Sequence, residues 1–185
     1  MAASKFPNTQ YTSEQFVESN GTILFDFSGH TNKVCLLRYS SSPGNQTTGE
    51  RLLAKGRRNC GESRGAAALR EVQEETGYPC HLHPVQMSTR APGPTETSHV
   101  PDQARSYPDL TEPFMLTTRV LGGDGTNIKL IWWFIAEIES VGPESVTGEE
   151  QFTAHFFSYE EALQKLTCKD DRTVLLRAIS LVEGS

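Results

Sequence analysis

The 185-residue chain has no long apolar run, no basic excess and no paired-cysteine motif. Each absence removes a class of protein. Its most apolar stretch, residues 130–138, is less than half the ~20 residues that a membrane helix needs. No membrane partner is therefore expected. The opening MAASKFPNTQYTSEQF lacks the apolar core of a signal peptide, so a cytoplasmic, and also nuclear, location is expected. The 17 basic residues are outnumbered by 23 acidic ones, giving a net charge of -6. That balance argues against a nucleic-acid coat or a membrane-surface binder, both of which rely on positive charge. It leaves room for a small anion held in a local basic pocket. Cys35, Cys60, Cys80 and Cys168 form no C-x-x-C pair, which excludes the common zinc and redox patterns. They suit a reduced protein better than a disulfide scaffold.

What is present is an ordinary globular composition, 36% hydrophobic and 22% charged. The length fits one domain with a core of its own. Residues 1–14 read as a loose polar tail, and residues 15–185 as the domain. Short apolar runs at 22–25, 34–37, 128–138 and 152–157 predict strands, and 81–87 reads as a further one. Residues 40–49 are turn-rich and predict a surface loop. Residues 65–76 predict a helix, with Gly77 suited to its C-terminal cap and Pro79 barring continuation. Two further helices are expected at 158–166 and 171–182. Residues 88–113, rich in Pro, Gly, Ser and Thr, predict a long loop insertion. The mixture gives an α/β class domain.

The chemistry lies in GRRNCGESRGAAALREVQEETGY, residues 56–78. Glu71, Glu74 and Glu75 fall at i, i+3 and i+4, within a sector of about 100° on a helix. Leu69, Val72 and Thr76 lie opposite, where a core contact is expected, so the carboxylates are expected to face outward. Like charges so spaced repel by roughly 0.2–0.5 kcal/mol per pair. A hard divalent cation reverses that sign, and carboxylate oxygens suit magnesium or manganese. Arg70 stands beside the acids and can orient one of them. Lys55, Arg57 and Arg58 lie just upstream, placed to meet phosphate oxygens. Arg38 is a further candidate for the substrate. Such a set predicts a phosphoanhydride hydrolysis site.

The full spacing resembles the signature of the Nudix hydrolase family: G, five residues, E, seven residues, R-E-U-x-E-E-x-G-U, where U is a bulky aliphatic. Gly56, Glu62, Arg70, Glu71, Val72, Glu74, Glu75 and Gly77 match it, and Tyr78 replaces the last aliphatic at a packing position. The resemblance implies an α/β/α sandwich, with a mixed β-sheet and a loop-helix-loop box. It implies Mg2+ (or Mn2+) held by Glu71, Glu74 and Glu75, with the Gly56 carbonyl as a further ligand. Glu62 and Gly77 then support the box, and Arg70 orients the acids. One more acidic ligand is expected from a later loop, with Glu149 and Glu150 as candidates and Glu150 taken as the ligand. Ala54-Lys55-Gly56 and the run around Trp132 and Trp133 resemble dinucleoside polyphosphate hydrolases and diphosphoinositol polyphosphate phosphohydrolases. A small polyphosphorylated substrate is therefore implied. Alternatives are a nucleoside triphosphate, nucleotide-sugar or mRNA-cap pyrophosphatase, or a non-catalytic nucleotide sensor. Of Trp132 and Trp133, which alternate across a strand, one is expected to pack inward and the other to reach substrate.

Overall fold

A computed structural model describes residues 6–40, 49–93, 95–96, 100–123, 125–139 and 148–184. In chain order the elements are β1 (Phe16–Asp26), β2 (Lys33–Tyr39), β3 (Arg51–Leu52), β4 (Ala54–Arg57), α1 (Arg64–Thr76), β5 (Cys80–Leu82), β6 (Val85–Thr89), β7 (Arg105–Leu110), β8 (Met115–Leu121), β9 (Asn127–Ile138), β10 (Phe152–Phe157), α2 (Tyr159–Lys165) and α3 (Lys169–Glu183). Residues 6–12 of the expected tail carry no helix or strand. Residues 1–5 of that tail, and most of the expected 40–49 loop, lie outside the described residues.

The main sheet runs β10-β2-β1-β9-β5, with β3 on β2, β4 on β1 and β8 on β9. β1 and β9 run parallel over ten registered pairs, from Phe16 opposite Ile128 to Phe25 opposite Glu137. The other pairs are antiparallel. β1 and β9 are buried over most of their length, as expected for near-continuous apolar strands at a sheet centre. One face packs Ile23, Phe25, Leu36, Ile131 and Trp133 against Leu166, Leu175, Ala178 and Ile179 around α2 and α3. The other packs Leu24, Leu37, Ala54 and Ala136 against Val72 of α1. The result is an α/β/α sandwich with a mixed sheet, as the resemblance implies.

α1 begins where Ser63 caps it, its side chain accepting from the Ala66 N–H, and ends at Gly77, whose φ of 79° favours glycine. Tyr78 packs edge-on against Phe156 with ring centroids 5.2 Å apart, so the replaced aliphatic position is indeed filled by packing. Position 21 requires glycine for space, not for φ. A methyl group there would overlap the Trp133 ring and crowd Lys55.

Two expectations about the middle of the chain need correction. Residues 81–87 do not form one strand. β5 pairs with β9 and β6 with β7, and the break falls at Pro84, which has no N–H for a ladder. Nor is 88–113 wholly loop. β7 lies within it and forms a separate two-stranded sheet with β6, although residues 94 and 97–99 are outside the described set. β8 was not anticipated at all. It has exposed and half-buried residues in alternation, so it presents no apolar run to notice.

Candidate active site

The site is built where α1 crosses β4. Arg70 is its hub. Its Nε and one terminal nitrogen grip the two oxygens of Glu62 at 2.8 and 3.0 Å, a bidentate geometry that suits a planar guanidinium. Its other terminal nitrogen reaches Glu71 and Glu74, each at 2.8 Å. A fifth bond runs to the Arg57 carbonyl at 2.9 Å. Arg70 therefore ties the loop, β4 and two box acids together, and its own pKa is raised by these carboxylates, Glu62 foremost. The Arg70 bond, with a second from the Asn59 N–H, pushes the Glu62 pKa down to about 2. Arg70 thus acts as a positioning residue, and Glu62 supports the loop as expected.

This pairing gives a pH prediction. A carboxylate depressed in the folded state contributes stability above its unfolded pKa, near ~4.3, and loses it as pH falls through about 2. Arg70→Ala should return the Glu62 titration toward the ordinary carboxylate range. Carbon-detected NMR of the Glu62 side chain checks this, and an unmoved titration would count against the clamp.

Glu71 and Glu75 line the inner side of the cluster. Glu75 is buried, which corrects the expectation that all three acids face outward. The buried arc of α1 includes Ala67, Ala68, Val72, Glu75 and Thr76, because β4 lies over that side of the helix. One Glu75 oxygen accepts from the Lys55 backbone N–H at 2.9 Å. Burial still pushes its pKa up to about 7, with Glu71 and Glu149 adding to the rise. Glu71 is shifted upward too, by burial first, against the pull of Arg70. Burial therefore disfavours the ionised form of both acids, a cost that a bound cation would offset.

Does this set fit a divalent cation? Among the described residues, no three His, Cys, Asp or Glu side chains form a metal cage as they stand. Arg70 takes an oxygen of Glu71 and of Glu74. Three observations favour the fit nonetheless. The donors are hard oxygens. Gly56 lets the Glu71 carboxylate lie against the β4 backbone, where any Cβ would overlap it. Asn20, registered opposite Gly56, is fully buried with both amide atoms unpartnered, as befits a group awaiting a polar ligand.

Of the two later acids, Glu149 adds to the upward shifts of Glu71 and Glu75. The Glu149 N–H donates to the Glu74 carbonyl at 2.9 Å, which draws this turn onto the end of α1. Glu150 is exposed.

The basic candidates divide. Lys55 and Arg57 lie on β4 and meet the cluster through their backbone, the Lys55 N–H at Glu75 and the Arg57 carbonyl at Arg70. Arg58 is engaged by protein groups. Its Nε bonds Glu18 at 2.8 Å, and a terminal nitrogen bonds the Glu62 carbonyl at 2.9 Å. Arg64 also bonds Glu18, at 2.6 Å, and lies 4.2 Å from the Trp132 ring centroid. Burial alone would raise the Glu18 pKa, but bonds from Arg64, Trp132 and Arg58 hold it low. Glu18 is thus an anchor for the box loop. Trp132, tied to Glu18 at 3.0 Å, is locked under Arg64, while Trp133 is fully buried. Arg38 lies away from the cluster, registered opposite Thr153 and Arg51. Burial and the charges of Arg51 and Arg38 lower the His155 pKa there.

Glu18, Ser19 and Asn20 were missed as site residues. The available signal was three polar side chains in succession inside a run that becomes a buried strand.

A sandwich that sets an arginine-clamped acid cluster beside lysine and arginine is the frame of a phosphoanhydride hydrolase. The chain belongs to the NUDIX family: the NUDIX domain model matches residues 17–178. It is a Nudix hydrolase acting on pyrophosphate bonds, and such enzymes generally use divalent metal ions such as Mg2+. Solved structures agree on the fold. A NUDIX hydrolase from Nitrosomonas europaea superposes with a TM-score of 0.57 at 16% identity, covering 89% of this chain and 88% of that one. The Ap4A hydrolase of C. elegans gives 0.52 at 17% identity, covering 89% and 96%. The E. coli ORF135 protein gives 0.53 at 17% identity, covering 92% and 93%. No curated protein matches significantly. No helix among the described residues is long and apolar enough to cross a membrane.

Proposed function

We propose that the chain hydrolyses phosphoanhydride bonds in highly phosphorylated small substrates, diphosphoinositol polyphosphates and dinucleoside polyphosphates, with Mg2+ as cofactor. The observation that carries this reading is the Arg70-clamped cluster of Glu62, Glu71 and Glu74, with buried Glu75 bonded to the Lys55 N–H of β4. Glu71, Glu74 and Glu75 would hold the ion, with the Gly56 carbonyl and Glu149 beside them. The ion, when bound, supplies positive charge for phosphate oxygens and acidity for a water. Arg70 keeps Glu71 and Glu74 in place through Glu62 and the Arg57 carbonyl. Lys55 and Arg57 bind and orient phosphate. One of the box carboxylates accepts the proton of the attacking water. The likeness to an Ap4A hydrolase is compatible with this reading but shows only a shared fold.

A magnesium-dependent assay across four substrates tests it. A diphosphoinositol pentakisphosphate and diadenosine tetraphosphate are expected to be cleaved at least tenfold more efficiently than ADP-ribose or capped RNA, a difference within reach of one or two extra charged contacts. High turnover of either of the last two with little on the first two would overturn the substrate choice. Substrate binding with no product in any arm would favour a sensor.

A further inference from the structure

The face of the sheet opposite α1 carries a second charged feature that the box motif does not include. Registered partners on neighbouring strands share a face. Val17 lies opposite Lys129, and Lys129 opposite Arg119. Two residues along, Arg57 lies opposite Ser19, Ser19 opposite Ile131, and Ile131 opposite Thr117. Two further along, Lys55 lies opposite Gly21, and Gly21 opposite Trp133. The Cβ direction at Gly21, toward Trp133 and Lys55, identifies the face. Lys55, Arg57, Lys129 and Arg119 therefore share one side of β4, β9 and β8, around the middle of β1.

At the centre sits Ser19, fully buried, with its hydroxyl unpartnered. A buried hydroxyl without a bond is costly, and here it lies among cations. From the covering layer, Asp171 in the first turn of α3 lies 3.8 Å from Arg119, with Asp170 beside it. Burial raises the Asp171 pKa against the charges of Lys55 and Arg119. The Lys129 pKa is lowered by burial, then by Lys55, Arg119 and Arg57, with Glu71 opposing. Among the described residues, Lys55, Arg57, Lys129 and Arg119 outnumber the nearby acids Asp171, Asp170 and Glu71, within a chain of net charge -6. This face adjoins the box, because the Lys55 N–H bonds Glu75.

We propose that Lys55, Arg57, Lys129, Arg119 and the Ser19 hydroxyl form a phosphate cradle continuous with the acid cluster, which selects substrates carrying three or more phosphates. The inference rests on the phosphoanhydride reading above. The two phosphates of the scissile anhydride belong at the box, within reach of Lys55 and Arg57. Lys129 and Arg119, one and two strands beyond β1, take a phosphate outside that anhydride. Asp171 is a positioning residue that holds Arg119 toward the sheet. The shared ligand chemistry is a cluster of phosphates, whether on an inositol ring or in a dinucleotide chain.

Calorimetry of the full chain with inositol hexakisphosphate, without metal, reads the cradle apart from turnover. Lys129→Gln and Arg119→Gln are each expected to weaken binding about tenfold or more, the usual scale for a charged hydrogen bond. Lys129→Arg should restore most of it. In magnesium assays the same variants should raise KM for diadenosine tetraphosphate, with the loss on KM rather than kcat. KM for ADP-ribose, which has only two phosphates, should move much less. A larger loss with the hexakisphosphate assigns the cradle to a ring, and a larger loss with the tetraphosphate assigns it to a chain. Unaltered hexakisphosphate binding in folded Lys129→Gln and Arg119→Gln overturns the proposal, as does equal weakening for ADP-ribose. If Lys129→Gln does not fold, Arg119→Gln on the more exposed β8 gives the same reading. A wild-type chain that binds the hexakisphosphate through these residues but cleaves no phosphoanhydride would sink the hydrolase reading and leave the cradle standing.

Discussion

Glu75→Gln is expected to lower kcat/KM by about a thousandfold, and Glu71→Gln by a similar order, the scale seen when a charge-stabilising group is removed from a reacting centre. Glutamine keeps the shape of the side chain, and its amide oxygen can still accept from the Lys55 N–H. The fold should therefore survive. A metal-free stability profile separates lost chemistry from lost structure. Glu75 has its pKa pushed up to about 7 in the folded chain, so the folded state binds more protons than the unfolded state between ~4.3 and that value. Metal-free stability should fall as pH rises through this window in the wild type. Glutamine carries no proton to lose, so the variant should lack that part of the slope. Thermal melts from pH 4.5 to 8, with chelator present, check it. Undiminished turnover in both variants would mean that the acids of α1 are not the site.

The second large effect is on stability. Trp133→Ala should cost about 3–5 kcal/mol, the usual range for emptying a buried aromatic site. Trp133 is fully buried on the central strand, packed over Gly21, with its Nε1 donating to Thr117 of β8 at 3.0 Å. The loss therefore combines a cavity with an orphaned threonine hydroxyl. For a domain of this length the melting temperature should drop by roughly 6–20 °C, at about 2–4 °C per kcal/mol. Differential scanning calorimetry reads it directly. A shift under about 2 °C would show that the sheet closes around the gap. Trp132→Ala should cost less, since Trp132 is only half-buried and contributes mainly its bond to Glu18 and its contact with Arg64.

The sequence by itself determined α1, its C-terminal cap and the identity of the acid cluster. Those features are local. A helix sets the angles between residues 70, 71, 74 and 75, and Gly77 supplies a conformation that few other residues accept. Strong apolar runs likewise revealed β1, β2, β9 and β10. Strands without such runs, β4 and β8 above all, were not legible, because their side chains are half exposed and their partners lie far along the chain.

Only the tertiary structure decided which charges remain available to a ligand. Arg58 looks like a phosphate ligand in sequence, yet Glu18, forty residues earlier, pairs with it and with Arg64 in the fold. Glu75 looks like an exposed acid, yet β4 buries it. Glu149 and Glu150 are equivalent in sequence, but the fold ties the Glu149 N–H to the Glu74 carbonyl at the end of α1. Lys129, Arg119 and Ser19 have no motif at all. They come together because strand register adds residues from β9, β8 and β1 to one face, and sequence spacing carries no record of that register. The absence of a basic excess therefore excluded little about a polyanion: folding sorted the few available cations onto one side of the sheet.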